Sequence, residues 1–142
     1  MKITLLEKIT LAVSGITATG IGVLITAGPQ VFYASYGISL SDSPSLLSEL
    51  RAPAAGLTAL GCLMLAGIWR SAMVELAIAA TLIVFLAFPA GRVLGLAVDG
   101  MPSEMIIGAL ILEITIAALC MFAFRRRVFR DQPHPSPDQA RS

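Results

Sequence analysis

The chain has 142 residues, 56% of them hydrophobic and 13% charged, with a formal net charge of +1. Soluble domains run at about 45–50% apolar and about 25% charged residues, so this composition excludes an ordinary water-soluble domain and points to a membrane. The near-zero charge also excludes a nucleic-acid partner, since a phosphate-binding surface needs a concentrated basic stripe.

The first apolar span runs from Ile9 to Gly28 and is closed by Pro29. Lys2 and Lys8 in front of it invite a secretory-signal reading, but the run exceeds a signal core of about 7–15 residues, so we read a retained helix. In the loop that follows, Ser43-Pro44 has the form of a helix start, a capping hydroxyl before proline at the first helical position. Leu46, Leu47 and Leu50 share one face there. That segment suits either a short helix on the membrane surface or a continuation of the next span.

Pro53 to Trp69 is the second span, ended by Arg70, and Ala72 to Val98 is the third. Asp99-Gly100-Met101-Pro102-Ser103 reads as a tight turn, with Ser103 placed to cap the fourth span and Glu104 suited to its positive end. The fourth span runs from Glu104 to Phe124 and stops at Arg125-Arg126-Arg127. Gly and Pro recur inside these spans, which membrane helices tolerate. None shows the alternation of a barrel strand. The fold class is therefore all-α, a four-transmembrane-helix bundle over residues 1–128. Residues 129–142, rich in proline and polar groups, read as a disordered cytoplasmic tail.

With four spans, both chain ends and the turn at Arg70 share one side. That side collects Lys2, Lys8, Arg70, Arg125, Arg126, Arg127, Arg130 and Arg141, eight of the 10 basic residues. The positive-inside rule then predicts cytoplasmic termini in a bacterial inner membrane, with Tyr33 and Tyr36 at the outer interface and Trp69 at the inner one.

Catalytic and metal motifs are scarce. His134 is the only histidine and lies among the prolines of the tail. Cys62 and Cys120 fall at different depths in separate spans and read as packing residues. We expect no metal and no cofactor. The candidate chemistry rests on embedded charges. Glu113 lies near the middle of an apolar run, where a carboxyl group costs on the order of 2.5–3.5 kcal/mol to insert. By helical rise it sits roughly 13 Å below Glu104, and Arg92 roughly 9 Å below the outer turn. Asp99 follows Arg92 by about two turns, and Glu49 and Arg51 open the second span. Depth alone thus predicts that Glu49, Arg51, Arg92, Asp99 and Glu113 converge in the outer half of the bundle. Glu75, near Arg70, reads as interfacial and structural. Ala109, Glu113 and Ala117 recur every fourth residue, a small-residue stripe that favours a close neighbour and an inward carboxylate.

The string Glu49-Leu50-Arg51-Ala52-Pro53 is distinctive. Together with Phe32-Tyr33-Ala34-Ser35-Tyr36-Gly37, Arg92, Asp99-Gly100-Met101-Pro102 and Glu113, it resembles a bacterial family of small four-helix integral membrane proteins catalogued as a domain of unknown function. The resemblance extends over roughly residues 5 to 126. It implies a compact bundle in the cytoplasmic membrane and brings no activity with it.

Three functions stay open at this point. The outer half of the bundle is a candidate pocket for a small or lipid-like molecule, with Arg51 and Arg92 as anion anchors, Glu49 and Asp99 beside them, and Glu113 as a candidate acid or base. One embedded carboxylate also suits a proton-linked transporter, acting as a homo-oligomer. Charge pairs that only fix helix order would suit an accessory subunit, with Gly15, Thr19 and Gly22 packing against a partner or inside the bundle.

Overall fold

The computed structural model describes residues 3–128, so the expected tail lies outside the described residues. Helix α1 spans Leu5–Ala27, α2 Pro29–Ser35, α3 Pro44–Trp69, α4 Val74–Asp99 and α5 Glu104–Val128, with a 3-10 turn at Ser71–Met73 leading into α4. Helices are the only regular secondary structure among the described residues, and irregular loops join them at 36–43 and 100–103. The four long helices are each long and apolar enough to cross a membrane, which makes this a multi-pass membrane protein.

Local chemistry accounts for the boundaries. Thr4 and Glu7 form a capping box at the start of α1: the Glu7 amide donates to Thr4 Oγ1 at 3.2 Å, and the Thr4 amide donates to a Glu7 carboxylate oxygen at 2.7 Å. Gly28 ends α1, and Pro29 starts α2 at the position where a missing N–H costs nothing. Helix α3 begins at Pro44 and runs through Pro53, so the second reading of that loop holds: the segment continues the membrane helix. The Ser43 hydroxyl makes no capping hydrogen bond there. Ser103 does not cap α5 with its side chain either; its hydroxyl donates to the Tyr36 carbonyl at 3.0 Å, tying the turn before α5 to the end of α2. Between them Gly100 turns the chain at φ 95°, a conformation that favours glycine.

The long helices form a ring in which α1 packs on α3, α3 on α4, α4 on α5, and α5 on α1. Buried residues of α1 (Leu11, Ser14, Ala18, Ile25) recur at three-, four- and seven-residue intervals, the stripe expected of a helix with one inward face. Leu11 and Ala18 join Met64 of α3, Ala77 and Phe85 of α4, and Cys120 and Phe124 of α5 in one core. The α1–α3 crossing is the tightest. A Cβ on Gly22 would stand 2.6 Å from the Ala54 carbonyl oxygen, and one on Gly61 would stand 2.5 Å from the Thr19 backbone nitrogen. The series Gly15, Thr19, Gly22 therefore packs inside the bundle.

The side-chain bonds between α1 and α5 among the described residues run from the end that holds the α1 N-terminus, the terminal end, to the middle of α1. Glu7 pairs with Arg127 at the terminal end, and Ser14 Oγ lies 3.7 Å from Cys120 Sγ. Towards the opposite end, the loop end, a cleft separates the same two helices. Cys120 is buried as expected, but Cys62 is exposed on the outer surface of α3 and fills no core position.

Candidate functional site

The cleft has a volume of about 410 Å³, within the range of about 300–1,000 Å³ of small-molecule sites. Its deep wall is apolar, with Ala18 and Ile21 from α1, Leu57 from α3, and Val84 and Phe85 from α4. Met105, Ala109 and Leu112 of α5 form the facing wall. Phe32, Tyr33 and Tyr36 of α2 cover it at the loop end. Phe32 holds these rings together, with Tyr33 at 5.5 Å in an edge-on arrangement and Tyr36 at 5.1 Å in a tilted one.

Arg92 of α4 and Glu113 of α5 meet in the wall of this cavity. Arg92 Nε donates to both Glu113 carboxylate oxygens, at 3.0 and 2.9 Å. Glu113 is only 8% exposed, whereas the Arg92 side chain keeps 32% of its surface open. A guanidinium has five N–H donors and Nε supplies one, so the donors on Nη1 and Nη2 carry no hydrogen bond among the described residues. Both residues line the cleft. The electrostatic result is a neutralised pair with spare donors beside an apolar cavity. The stripe Ala109, Glu113, Ala117 does face inward: Glu113 and Ala117 are buried and Ala109 lines the cleft.

The other three groups do not join them. Arg51 lies about 120° around α3 from the cleft-lining Leu57, six residues away at 100° per residue. Its Nε donates to the Thr26 carbonyl at 3.1 Å, in a separate shallow groove between α1 and α3. Glu49 is exposed and makes no hydrogen bond or ion pair among the described residues. Asp99 ends α4, also exposed, about two turns beyond Arg92 on the loop side. The expected convergence of five charges is thus a single pair, Arg92 with Glu113. Rotation about α3 turns Arg51 away from the cleft, and Asp99, close to the azimuth of Arg92, is separated from the pair by about two turns of height.

Two features lay outside the sequence reading. Helix α2 and its C-cap Tyr36 bring aromatic residues over the cleft; the signal for it was Gly28-Pro29 followed by rings at Phe32 and Tyr33, with Tyr36 four and three residues after them. The second is the Glu7–Arg127 pair at the terminal end, where Glu7 is 4% exposed and Arg127 donates from Nη2 at 3.2 Å as well as from Nε. Glu75 adds its charge near Arg127. Among the described residues no three His, Cys, Asp or Glu side chains gather into a metal site.

A family model for a domain of unknown function (DUF4345) matches residues 6–124. No curated protein and no solved structure matches the chain.

Proposed function

The chain belongs to the DUF4345 family of domains of unknown function, and we propose that within the membrane it binds a lipid-like molecule with an uncharged, hydrogen-bond-accepting head group. The observation that carries this reading is the neutralised pair in the cleft wall. Because Glu113 already balances Arg92, a second anion would meet a carboxylate as well as a guanidinium. A carbonyl, ester or quinone-type oxygen instead accepts from the spare Nη donors at no charge cost. The apolar wall from Ala18 to Phe85 takes the hydrophobic body. The open seam between α1 and α5 offers a sideways entry from the bilayer, and the aromatic cover on α2 shields the head from the loop side.

In this reading the loop end faces outward from a bacterial inner membrane, in keeping with the eight basic residues on the opposite side. Glu113 serves as the charge partner that holds Arg92 in place. A role as acid, base or proton carrier would first require the two-oxygen contact with Nε to open.

The test is the complement of small molecules that co-purifies in mild detergent, read by native mass spectrometry. The wild-type chain should retain an uncharged amphiphile. Ala109→Trp, which fills the cleft from α5 and keeps both charges of the ion pair, should lose it while the helical content stays unchanged. Equal retention by both proteins would refute the reading. A second reading, in which the pair only orders α4 and α5, is favoured by the two-oxygen geometry itself; it predicts that neither protein carries a specific amphiphile.

A further inference from the structure

Arg51 is the arginine at the loop end that no carboxylate balances. Its Nε is spent on the Thr26 carbonyl at 3.1 Å, and the reason lies in the break after α1. Helix α1 ends at Ala27 and α2 begins anew at Pro29, so the last α1 carbonyls lose their helical donors. Arg51 supplies one and sets its positive charge at the negative end of α1, a favourable placement for a cation. That bond fixes the side chain and leaves the Nη donors without a hydrogen-bond partner among the described residues.

The groove around it is built for an amphiphile. Ser48 lies one turn before Arg51 on the same face of α3, with a hydroxyl that makes no hydrogen bond among the described residues. Ala52 and Ala55 continue that face towards the bilayer core as a smooth, small-residue track. The acidic groups nearby do not compensate Arg51. Glu49 is two residues away, about 200° around the helix, and Asp42 is bonded to Gln30 Nε2 at 3.1 Å. The level is also right: Thr26 is the last but one residue of a membrane-crossing helix, where lipid head groups begin.

We propose that the groove formed by Thr26, Ser48, Arg51, Ala52 and Ala55 is a binding site for the phosphate of a membrane phospholipid, with one acyl chain lying along Ala52 and Ala55. It is separate from the cleft, on another face of α3, and it differs in charge logic. The cleft guanidinium is neutralised and suits an uncharged head; this one is not, and suits an anion.

The experiment measures thermal unfolding of the full chain in a neutral detergent with three additives in turn: phosphatidylglycerol, diacylglycerol of the same chains, and inorganic phosphate. Phosphatidylglycerol should raise the midpoint by several degrees, and the other two should not. Arg51→Ala also removes the α1 cap and is a poor sole control. Ala55→Glu is the second variant, since a glutamate four residues after Arg51 occupies its Nη donors and leaves the Thr26 bond alone. It should abolish the phosphatidylglycerol shift while the cleft amphiphile is still retained. Equal shifts with diacylglycerol, an undiminished shift in Ala55→Glu, or the same shift with inorganic phosphate alone would each overturn the proposal.

Discussion

Removing Arg92 and removing Glu113 are not equivalent perturbations, although the two side chains share one interaction. Arg92→Met strands a carboxylate that is 8% exposed against α4. Breaking a buried pair in this way costs about 3–5 kcal/mol. Because Arg92 keeps 32% of its side chain open to the cleft, the low end of that range applies, about 3 kcal/mol. Glu113→Gln leaves a guanidinium that the cleft can solvate and an amide that still accepts from Nε, so about 1–2 kcal/mol is expected. The double replacement Arg92→Met with Glu113→Leu leaves no charge to strand, and apolar substitutes for buried pairs are often neutral. It should unfold within about 1 kcal/mol of the wild-type chain, by the same reasoning. Reversible unfolding in mixed micelles, titrated with a denaturing detergent and followed by circular dichroism, gives all four corners of the cycle. A double variant as unstable as the sum of the single ones would refute the assignment of the pair as one coupled unit. A stable double variant that has also lost the cleft amphiphile would separate binding from folding.

The α1–α3 crossing should be intolerant of one methyl group. Gly61→Ala drives a Cβ to 2.5 Å from the Thr19 amide nitrogen and 2.9 Å from the Gly15 carbonyl oxygen, and backbone cannot yield as a side chain can. A loss of about 1–3 kcal/mol is expected in the same unfolding assay; unchanged stability would place the crossing elsewhere. In the same contact Thr19 Oγ1 is buried with no hydrogen-bond partner, so Thr19→Val, which removes an unsatisfied hydroxyl at constant shape, should be neutral or stabilising. At the terminal end Glu7→Gln keeps the capping geometry with Thr4 but gives up the charge opposite Arg127. It should cost about 2–3 kcal/mol, since Arg127 is partly open to solvent, and loosen α1 from α5 in cysteine cross-linking. Cys62 is exposed and Cys120 buried, so a membrane-permeant maleimide should label Cys62 faster than Cys120 in the folded protein, slowly for a thiol that faces lipid, and both at similar rates after unfolding.

Much of this architecture is legible in the residues themselves. Four apolar runs, each ended by Pro, Arg or a turn, forecast four helices, although α3 begins at Pro44 and not at Pro53, because in a membrane the backbone must bond internally and only helices or barrels can do so. Depth was legible for the same reason: a fixed rise per residue puts Glu113 and Arg92 within reach of each other, and they meet. Azimuth was not. Asp99, close to the azimuth of Arg92, stands about two turns beyond it, and which way Arg51 points depends on how α3 rotates to bury Leu57. That rotation is decided by packing across helices distant in sequence. Helix α2 was hidden by its length, seven residues, too short for a period to stand out. The Glu7–Arg127 pair joins positions separated by 120 residues, and nothing in the local pattern at either end announces the partner.

The two ion pairs divide the bundle into a closed half and an open half. At the terminal end Glu7 and Arg127 pull α1 against α5, and Ser14 with Cys120 continues the seam inward. Beyond them the same helices diverge, and the space is left to the cleft. An inert bundle would have filled that space with leucine, since apolar packing stabilises as well as a buried pair and avoids the desolvation penalty. What Arg92 and Glu113 supply that leucine does not is a set of fixed donors in a neutral frame. That difference is the chemical ground of the proposed function, and residues of both α1 and α5 line the cleft it concerns.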